Sequence, residues 1–502
     1  MKKRYAWNVY TEYVADIYIA FMAVVFVLAY HNKLFDVMET KRSLYLVGSM
    51  VFVGLETIGH VITFVKTEDK KHFFSLSPLK MAGILLCIII TAGVLASPDA
   101  KEAFLGKGDK MTGAAVYVLG IICAYYLCRY LKWNDSLTIC FVLGCAIVYV
   151  LQFLNRMGVD PLHMYDNMSK GDVPVFMSTI GHINYNASFD CLTVGIVMSL
   201  FVLCREKISK IIYGIVAFLG MAGAICCSSD SVYIGLGVAF VIIAGYGAYN
   251  NEKIKSGWLL IVMFAAAAFS VLLGKKLAGD KCTGIWGFSS YLMGIKGIVI
   301  LLAVCVATAV PVFLNSAGKI RIRPAVYWVL MGAGIAGIIL IFVLAQMGNA
   351  ALQAFVFNGD FAHNRGNIWK ACLKLFADAP VKNKLLGFGC NSVSSAQVAV
   401  YGRHFTFTRQ LVADAHNIYI NTLLTNGIIG LFLWSAVFVM LIKKAFNSIS
   451  DMKEALIVIV GIFAYLAQGV FNGPQILTSP IMLVEVGVFM AILKKSKNNE
   501  YR

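Results

Sequence analysis

Charged residues are scarce in this chain of 502 residues: Asp, Glu, Lys and Arg make up 14% of it, against 59% hydrophobic residues. With a mean hydropathy of +0.77, the composition excludes an ordinary water-soluble domain. Ten-residue segments of alternating polarity, the pattern of membrane β-barrels, are also absent. The apolar runs therefore predict helices, which satisfy their own backbone polar groups in lipid.

Metal-binding patterns and short internal repeats are absent as well. The 13 cysteines lie mostly within apolar runs, with no CxxC pair and no Cys/His spacing of a zinc site. No repeat of a short fixed period is present. The sequence therefore predicts a chain with no metal site and no cofactor.

The apolar runs predict an all-α, polytopic membrane helix bundle. A helix needs about 20 residues to cross about 30 Å of hydrocarbon, and the runs suggest about 14 transmembrane helices, within a range of about 12–14. We divide the chain into a transmembrane bundle over 1–346, a long connection over 347–415, and C-terminal spans with a basic tail over 416–502. The predicted spans are 13–30, 44–65, 79–97, 113–131, 136–154, 183–204, 208–227, 231–249, 257–273, 288–314, 325–346, 416–442, 454–472 and 477–493.

The distribution of positive charge predicts the topology. With the N-terminus in the cytoplasm, the inside connections and their flanks hold 24 Lys and Arg residues, and the outside ones other than 347–415 hold 11. This bias follows the positive-inside rule, places both termini in the cytoplasm and puts 347–415 outside the membrane. The net charge of +17 then reflects topology, and no nucleic-acid partner is expected.

The long connection concentrates groups that bind anions and move protons. Asn364 is expected to cap a short helix that runs to about Asp378 and is stopped by Pro380. Apolar residues recur on one face of this helix, which is expected to lie along the lipid–water boundary; they are Ile368, Ala371, Cys372, Leu375 and Phe376. The arginines and histidines of the region are His363, Arg365, Arg403, His404, Arg409 and His416.

Two of these residues have both a chemical and a structural interpretation. Arg365, one helical turn from Trp369, presents a fork suited to a diphosphate, or it extends to lipid headgroups with Trp369 as an interfacial anchor. His416 follows Asp414 by two residues and suits a general base oriented by a carboxylate. A histidine at a helix start that bonds backbone or headgroups is the alternative.

Three blocks of sequence, taken together, resemble the O-antigen ligase and polymerase superfamily of bacterial polysaccharide membrane proteins. The first is Gly181-His182-Ile183-Asn184-Tyr185-Asn186-Ala187, which leads into a span. The second is Arg365-Gly366-Asn367-Ile368-Trp369, followed by Pro380 and by Leu386-Gly387-Phe388-Gly389. The third is Ala415-His416-Asn417-Ile418-Tyr419, followed by Thr425-Asn426-Gly427-Ile428-Ile429-Gly430.

The resemblance implies glycosyl transfer outside the cytoplasmic membrane, from an undecaprenyl-diphosphate-linked oligosaccharide to an acceptor hydroxyl. It implies either polymerisation of surface polysaccharide repeat units or ligation of the glycan to another anchor. The implied partners are the lipid bilayer, a flippase and a chain-length regulator. In these terms Arg365 and His416 are the expected catalytic residues. The expected substrate-binding residues are Asn184, Asn186, Trp369, Arg403, His404 and Arg409, the last three on composition alone.

One departure from the family pattern leaves other functions open. Family members often carry an arginine after a serine at the outside end of a mid-chain span, where this chain has Asp230. The aspartate argues against a second diphosphate clamp at that point, and Arg403 or Arg409 is the alternative source of the positive charge. The alternatives are a transporter or flippase of lipid-linked sugars, with the charges inside the spans as an ion path, and a non-catalytic glycan-binding protein of the envelope.

Overall fold

The computed structural model describes residues 6–66, 76–106, 108, 110–407, 410–448 and 453–499. Two short antiparallel ladders occur there: β1 (Phe176–Met177) pairs with β2 (Gly181–His182), and β3 (Thr406–Phe407) pairs with β4 (Gln410–Leu411). A π-helix, Phe21–Phe26, continues the first α-helix. The α-helices of the described residues are α1 (Ala6–Ala20), α2 (Val37–Lys66), α3 (Pro78–Ala96), α4 (Ala100–Leu105), α5 (Ala114–Tyr130), α6 (Asp135–Arg156), α7 (Ile183–Leu203), α8 (Lys207–Cys227), α9 (Ser231–Tyr249), α10 (Ile254–Ala278), α11 (Gly287–Met293), α12 (Ile295–Ser316), α13 (Pro324–Gln346), α14 (Phe361–Asp378), α15 (Val381–Leu386), α16 (Val393–Tyr401), α17 (Ile418–Ser448), α18 (Ala455–Gln468) and α19 (Ser479–Asn499).

The predicted all-α, multi-span architecture is confirmed. Eleven helices of the described chain are long and apolar enough to cross a membrane, and two more, α5 and α18, are apolar but shorter. Helical backbone underlies each of the fourteen predicted spans, with 288–314 divided between two helices. The number of crossings stays a prediction, because α5 has 17 residues and α18 has 14, fewer than the usual length of a span, and α19 is not among the eleven.

One span predicted as a single helix consists of two helices in the structure. The run 288–314 is divided into α11 and α12, which meet at Gly294 in extended backbone. The start of α12 packs on the end of α11, where a Cβ on Gly297 would lie 2.4 Å from the carbonyl oxygen of Tyr291. Hydrophobicity continues across this break, so the sequence pattern does not reveal it.

Burial separates central helices from peripheral ones. Within its most apolar window, α7 is 89% buried, whereas α13 is 6% buried. Both helices are apolar on all sides, so periodicity does not distinguish a bundle centre from a lipid-facing edge. The position of α7 matters for function, because its first turn carries Asn184 and Asn186.

The connection between α13 and α17 has a small hydrophobic core of its own. In α14, Ala371, Cys372 and Leu375 are buried, and Cys372 and Leu375 pack with Phe388 and Val412. The expectation that this apolar face rests on lipid is therefore wrong: the face is covered by the rest of the connection. The amphipathic pattern was correct, and the surface that it meets is protein.

The start of α14 also differs from the prediction. Ala362, His363 and Asn364 have left-handed backbone, with φ between 50° and 71°, and regular helix follows from Arg365. Asn364 Oδ1 accepts a hydrogen bond from Asn367 Nδ2 at 2.7 Å and does not cap a backbone N–H. The predicted end, at Asp378 before Pro380, is confirmed.

Glycines join two of the sequence blocks to each other. The backbone N–H groups of Phe388 and Gly389 donate to the carbonyls of Leu424 and Thr425, both at 2.9 Å. A Cβ on Gly387 would lie 2.2 Å from the oxygen of Thr425, and Gly387 has φ +80°. Gly427 interrupts α17 with φ +67°. These glycines permit close backbone contact, which fixes α15 against the helix that follows His416.

Candidate functional site

A polar cavity of about 130 Å³ lies where several helix connections meet. Its lining comes from the first two turns of α7, from the connections before α5, α7 and α17, and from the connection between α18 and α19. The lining residues are Lys110, His182, Asn184, Tyr185, Ser188, Asp414, His416, Asn472, Gly473 and Gln475.

The centre of this polar pocket is a carboxylate between two basic groups. Asp414 Oδ1 lies 3.4 Å from Nδ1 of His416 and accepts a hydrogen bond from the backbone N–H of His416 at 2.8 Å. The other oxygen, Oδ2, lies 3.4 Å from Nζ of Lys110. The Asp414 side chain is 5% exposed and that of His416 is 38% exposed. A buried carboxylate therefore faces one side of the imidazole, and the other side remains accessible.

Neighbouring charges set the protonation states in the pocket. Burial by itself raises the pKa of Asp414, but His416, Lys110 and the backbone hydrogen bond together lower it to about 2. Asp414 raises the pKa of His416, but burial and the charges of Lys110 and Arg365 bring it below the ordinary value of 6.5. His416 is thus neutral at neutral pH, and Lys110 is the cation that keeps Asp414 ionised.

His416 is equipped to accept a proton at Nε2. With Nδ1 directed toward Asp414, the carboxylate favours the tautomer that carries hydrogen on Nδ1. Nε2 has no hydrogen-bond partner within the described residues. The backbone of His416 is left-handed, with φ 46°, a conformation that is uncommon outside glycine and concentrates at functional sites.

Lys110 and His182 complete the basic wall of the pocket. Lys110 Nζ donates to the hydroxyl of Tyr185 at 3.2 Å, and Asp414 raises its pKa although burial lowers it. His182 accepts a hydrogen bond on Nδ1 from the backbone N–H of Asn184 at 3.2 Å. Burial, with the charges of Lys110 and His416, lowers the pKa of His182 to about 4. His182 is therefore uncharged beside the lysine.

Arg365 lies beside the pocket and is held by two carbonyl groups. Its Nε donates to the oxygen of Phe471 and its Nη1 to the oxygen of Ala362, both at 2.8 Å. Phe471 precedes Asn472, which lines the pocket. The charge of Arg365 lowers the pKa of His416, and Nη2 has no hydrogen-bond partner among the described residues. A guanidinium fixed in this way is suited to an anion bound next to His416.

Trp369 supports this arrangement from a cluster of aromatic rings. Its ring centroid lies 5.9 Å from that of Phe471 and 6.1 Å from that of Phe361. The indole Nε1 is buried without a hydrogen-bond partner in the described chain. Trp369 thereby holds α14 against the segment whose carbonyl fixes Arg365, and it is not among the residues that line the pocket.

The two asparagines of the first block have different positions. Asn184 lines the pocket, and its Oδ1 accepts from Ser229 Oγ at 2.9 Å. Asn186 is fully buried behind the pocket. Its Nδ2 donates to the carbonyls of Met177, Gly181 and His182 at 2.8 to 3.2 Å. Asn186 fixes the turn that positions His182 and has no contact with the cavity.

The remaining predicted cations are not brought to the pocket. Arg403 and His404 are exposed just after α16, and His404 Nδ1 is 3.1 Å from Ser394 Oγ. Arg409 lies outside the described residues. The structure therefore groups Arg365, His416 and Asn184, and it separates Arg403 and His404 from them.

Asp230 lies near this region, and its nearest basic neighbour among the described residues is a histidine. Its Oδ2 is 4.0 Å from Nε2 of the exposed His363, and its Oδ1 accepts from the backbone N–H of Phe288 at 2.9 Å. It also contributes to the electrostatic surroundings of Arg365. Asp230 thus anchors the start of α11.

Sequence reasoning missed Lys110, His182 and Tyr185 as pocket residues. His182 and Tyr185 stand inside the first sequence block, and Lys110 is a basic residue in a predicted outside connection. Polar groups next to spans, on connections predicted for one membrane face, were a usable signal. Their convergence needed the fold, because Lys110 and Asp414 are more than 300 residues apart.

Among the described residues, no group of three His, Cys, Asp or Glu side chains is placed to hold a metal ion. The chain matches no protein-family profile and no curated protein.

Proposed function

We propose that this chain is a membrane glycosyltransferase that passes an oligosaccharide from undecaprenyl diphosphate to an acceptor hydroxyl, extending a surface polysaccharide. The observation that carries the proposal is the pairing of Asp414 with a neutral His416 whose Nε2 is accessible, next to Lys110 and Arg365. A base beside fixed cations is what glycosyl transfer from a diphosphate requires. The three sequence blocks support the same reaction.

The reaction follows from the positions of these groups. Nε2 of His416 takes the proton of the acceptor hydroxyl while the oxygen of that hydroxyl bonds to the anomeric carbon of the donor sugar. The bond from that carbon to the diphosphate oxygen breaks, and the electron pair leaves with the diphosphate. Arg365 and Lys110 stabilise the negative charge of the departing group. Asp414 orients the imidazole and stabilises its protonated form.

The membrane side of the pocket is part of the proposal. Consecutive crossings reverse the chain, so connections separated by an even number of crossings lie on one face. With α5 and α18 counted as crossings and α14 placed outside the membrane, the pocket connections have this spacing. The excess of Lys and Arg on the other connections favours an outer position for the pocket. Undecaprenyl-linked donors in the outer leaflet of the cytoplasmic membrane are accessible there.

The decisive experiment compares two histidines of the same connection. In proteoliposomes with an undecaprenyl-diphosphate-linked oligosaccharide, we expect His416→Ala to reduce glycan extension at least about 100-fold. His404→Ala, at the exposed histidine, should retain wild-type extension. Both variants should be found in the membrane fraction, and after purification each should elute from a size-exclusion column at the volume of the wild type. If the wild type moves the lipid-linked glycan across the bilayer without extending it, the protein is a transporter and the proposed transferase function is wrong.

A cellular assay separates a polymerase from a ligase. In a deletion strain complemented with His416→Ala, single repeat units should accumulate on lipid if the chain is a polymerase. Long chains retained on the lipid would instead identify a ligase, which attaches finished glycan to another anchor. Gel profiles of lipid-linked and surface glycan distinguish these outcomes.

A further inference from the structure

A second cavity, of about 80 Å³, lies inside the helix bundle and shares no residue with the polar pocket. Its walls come from α1 with its π-helical continuation and from α6, α7, α18 and α19. It follows α7 from Phe189 to Leu200 and α19 from Ile481 to Ile492. Each stretch is about 16 Å long at 1.5 Å per residue. We call this elongated cavity the bundle slot.

The walls of the bundle slot are apolar and carry no positive charge. Four aromatic side chains contribute to them: Trp133, Phe141, Phe189 and Phe489. No Lys, Arg or His is among the lining residues, and the one ionisable carboxyl among them is Glu485. Aromatic faces carry partial negative charge, so this composition favours a cation among charged ligands.

Glu485 is a buried acceptor that lacks a hydrogen-bond partner in the part of the chain that the structure describes. The residue is 8% exposed, and its Oε1 is buried without a hydrogen-bond partner among the described residues. Thr193, another polar residue of the slot, is satisfied, because its hydroxyl donates to the oxygen of Phe189 at 2.7 Å and lies 2.6 Å from the hydroxyl of Tyr149. Buried polar groups are nearly always paired, so the carboxyl is suited to a donor supplied by a ligand.

The π-helix shapes one wall of the bundle slot. Met22 and Ala23 line the slot from within Phe21–Phe26. The segment is pressed against α6, where a Cβ on Gly144 would lie 2.0 Å from the oxygen of Ala23. Single π-helical turns inside α-helices occur frequently at functional sites. The irregular turn is thus at the wall of the cavity that also holds the unpaired carboxyl.

We propose that the bundle slot binds a lipophilic organic monocation, with its ammonium group at Glu485 and its hydrocarbon part along α7 and α19. The carboxylate supplies the charge partner that a cation needs when it leaves water. The aromatic rings add cation–π attraction, and the aliphatic walls cover the chain. A carboxylate ligand is repelled at the same position, and an alcohol gains one neutral hydrogen bond. This binding site is independent of the transfer reaction.

The test uses the full chain in lipid nanodiscs and three ligands of one shape: octylammonium, octanol and octanoate. We expect octylammonium to raise the melting temperature and to bind, by titration calorimetry, at least about tenfold more tightly than octanol. Octanoate should not bind. In Glu485→Gln, which keeps the shape of the side chain, octylammonium should lose this advantage over octanol.

The matched control is Glu56→Gln. Glu56 in α2 is also buried, and both of its oxygens are unpaired within the described chain, but it does not line the bundle slot. Octylammonium should bind this variant as it binds the wild type. The proposal is overturned if octylammonium affects all three proteins equally, if octanol binds the wild type as tightly, or if no ligand binds. Glycan extension by Glu485→Gln is measured separately and does not decide the result.

Discussion

The two ends of the connection between α13 and α17 differ from its middle, although all three parts carry cations and histidines. Near the ends, His416 lies beside the buried Asp414, and the charge of Arg365 lowers the pKa of His416. Arg403 and His404, in the middle, are exposed and make local contacts. Chemistry therefore depends on the counter-charge and burial that the fold supplies, and residue type alone does not reveal it.

The largest expected effect comes from removing the shared counter-charge. Asp414→Asn leaves Lys110 charged and unpaired at a largely buried position and should lower the free energy of unfolding by about 3 kcal/mol. It should also abolish glycan extension, because His416 loses its orienting group. Thermal unfolding in nanodiscs and the extension assay measure the two effects. A variant with wild-type extension would show that the difference between ends and middle has no catalytic meaning.

The same carboxylate predicts a pH dependence of stability. The pKa of Asp414 is about 2 in the folded protein, below its ordinary value of 3.8. Its contribution to stability is therefore fully present above about pH 4 and is lost as the pH falls toward 2. Melting temperatures of the wild type should fall in this window more steeply than those of Asp414→Asn. Parallel curves would contradict the assigned ion pairs.

A smaller loss is expected from Arg365→Lys. The substitution keeps the charge but loses the fork that bonds the carbonyls of Phe471 and Ala362. We expect kcat/KM for the lipid-linked donor to fall about tenfold, since a flexible ammonium positions a diphosphate less well. Lys370→Met, at an exposed cation of the same helix, is the control and should be unchanged. Equal effects of both substitutions would indicate a general role of surface charge.

Lys110→Met should shift the pH profile rather than only lower the rate. Lys110 lowers the pKa of His416, so its removal raises that pKa. The acid limb of kcat/KM should then move to higher pH by about half a unit to one unit, because the reaction needs neutral His416. Lys101→Met, at an exposed lysine of the nearby α4, should leave the limb in place. If the acid limb of Lys110→Met stays at the wild-type pH, Lys110 does not influence the pKa of His416.

The smallest effect is expected in the middle of the connection. The double substitution Arg403→Ala with His404→Ala removes exposed side chains that do not line the pocket. Glycan extension should stay within about twofold of the wild type, since exposed charges contribute little to local stability. If glycan extension falls as much as it does in Arg365→Lys, this surface belongs to the functional site. The ends and the middle of the connection would then not differ in function.

The sequence predicted the broad site better than its details. It selected Arg365 and His416, and the structure brings the charge of Arg365 close enough to lower the pKa of His416; their catalytic roles stay predictions. It did not distinguish Asn184, which lines the pocket, from Asn186, which fixes the turn behind it, since both lie in the same block. It also placed the apolar face of α14 on lipid, because amphipathic spacing does not specify which apolar surface covers a helix.

The sequence by itself determined that the chain is a bundle of membrane helices, since apolar runs of this length have few other stable states. It also determined which connections are rich in ionisable groups. The tertiary structure alone decided that Lys110 meets Asp414 and that Glu485 faces an apolar slot. Both are contacts between distant parts of the chain, and hydrophobic runs specify helices without specifying their neighbours.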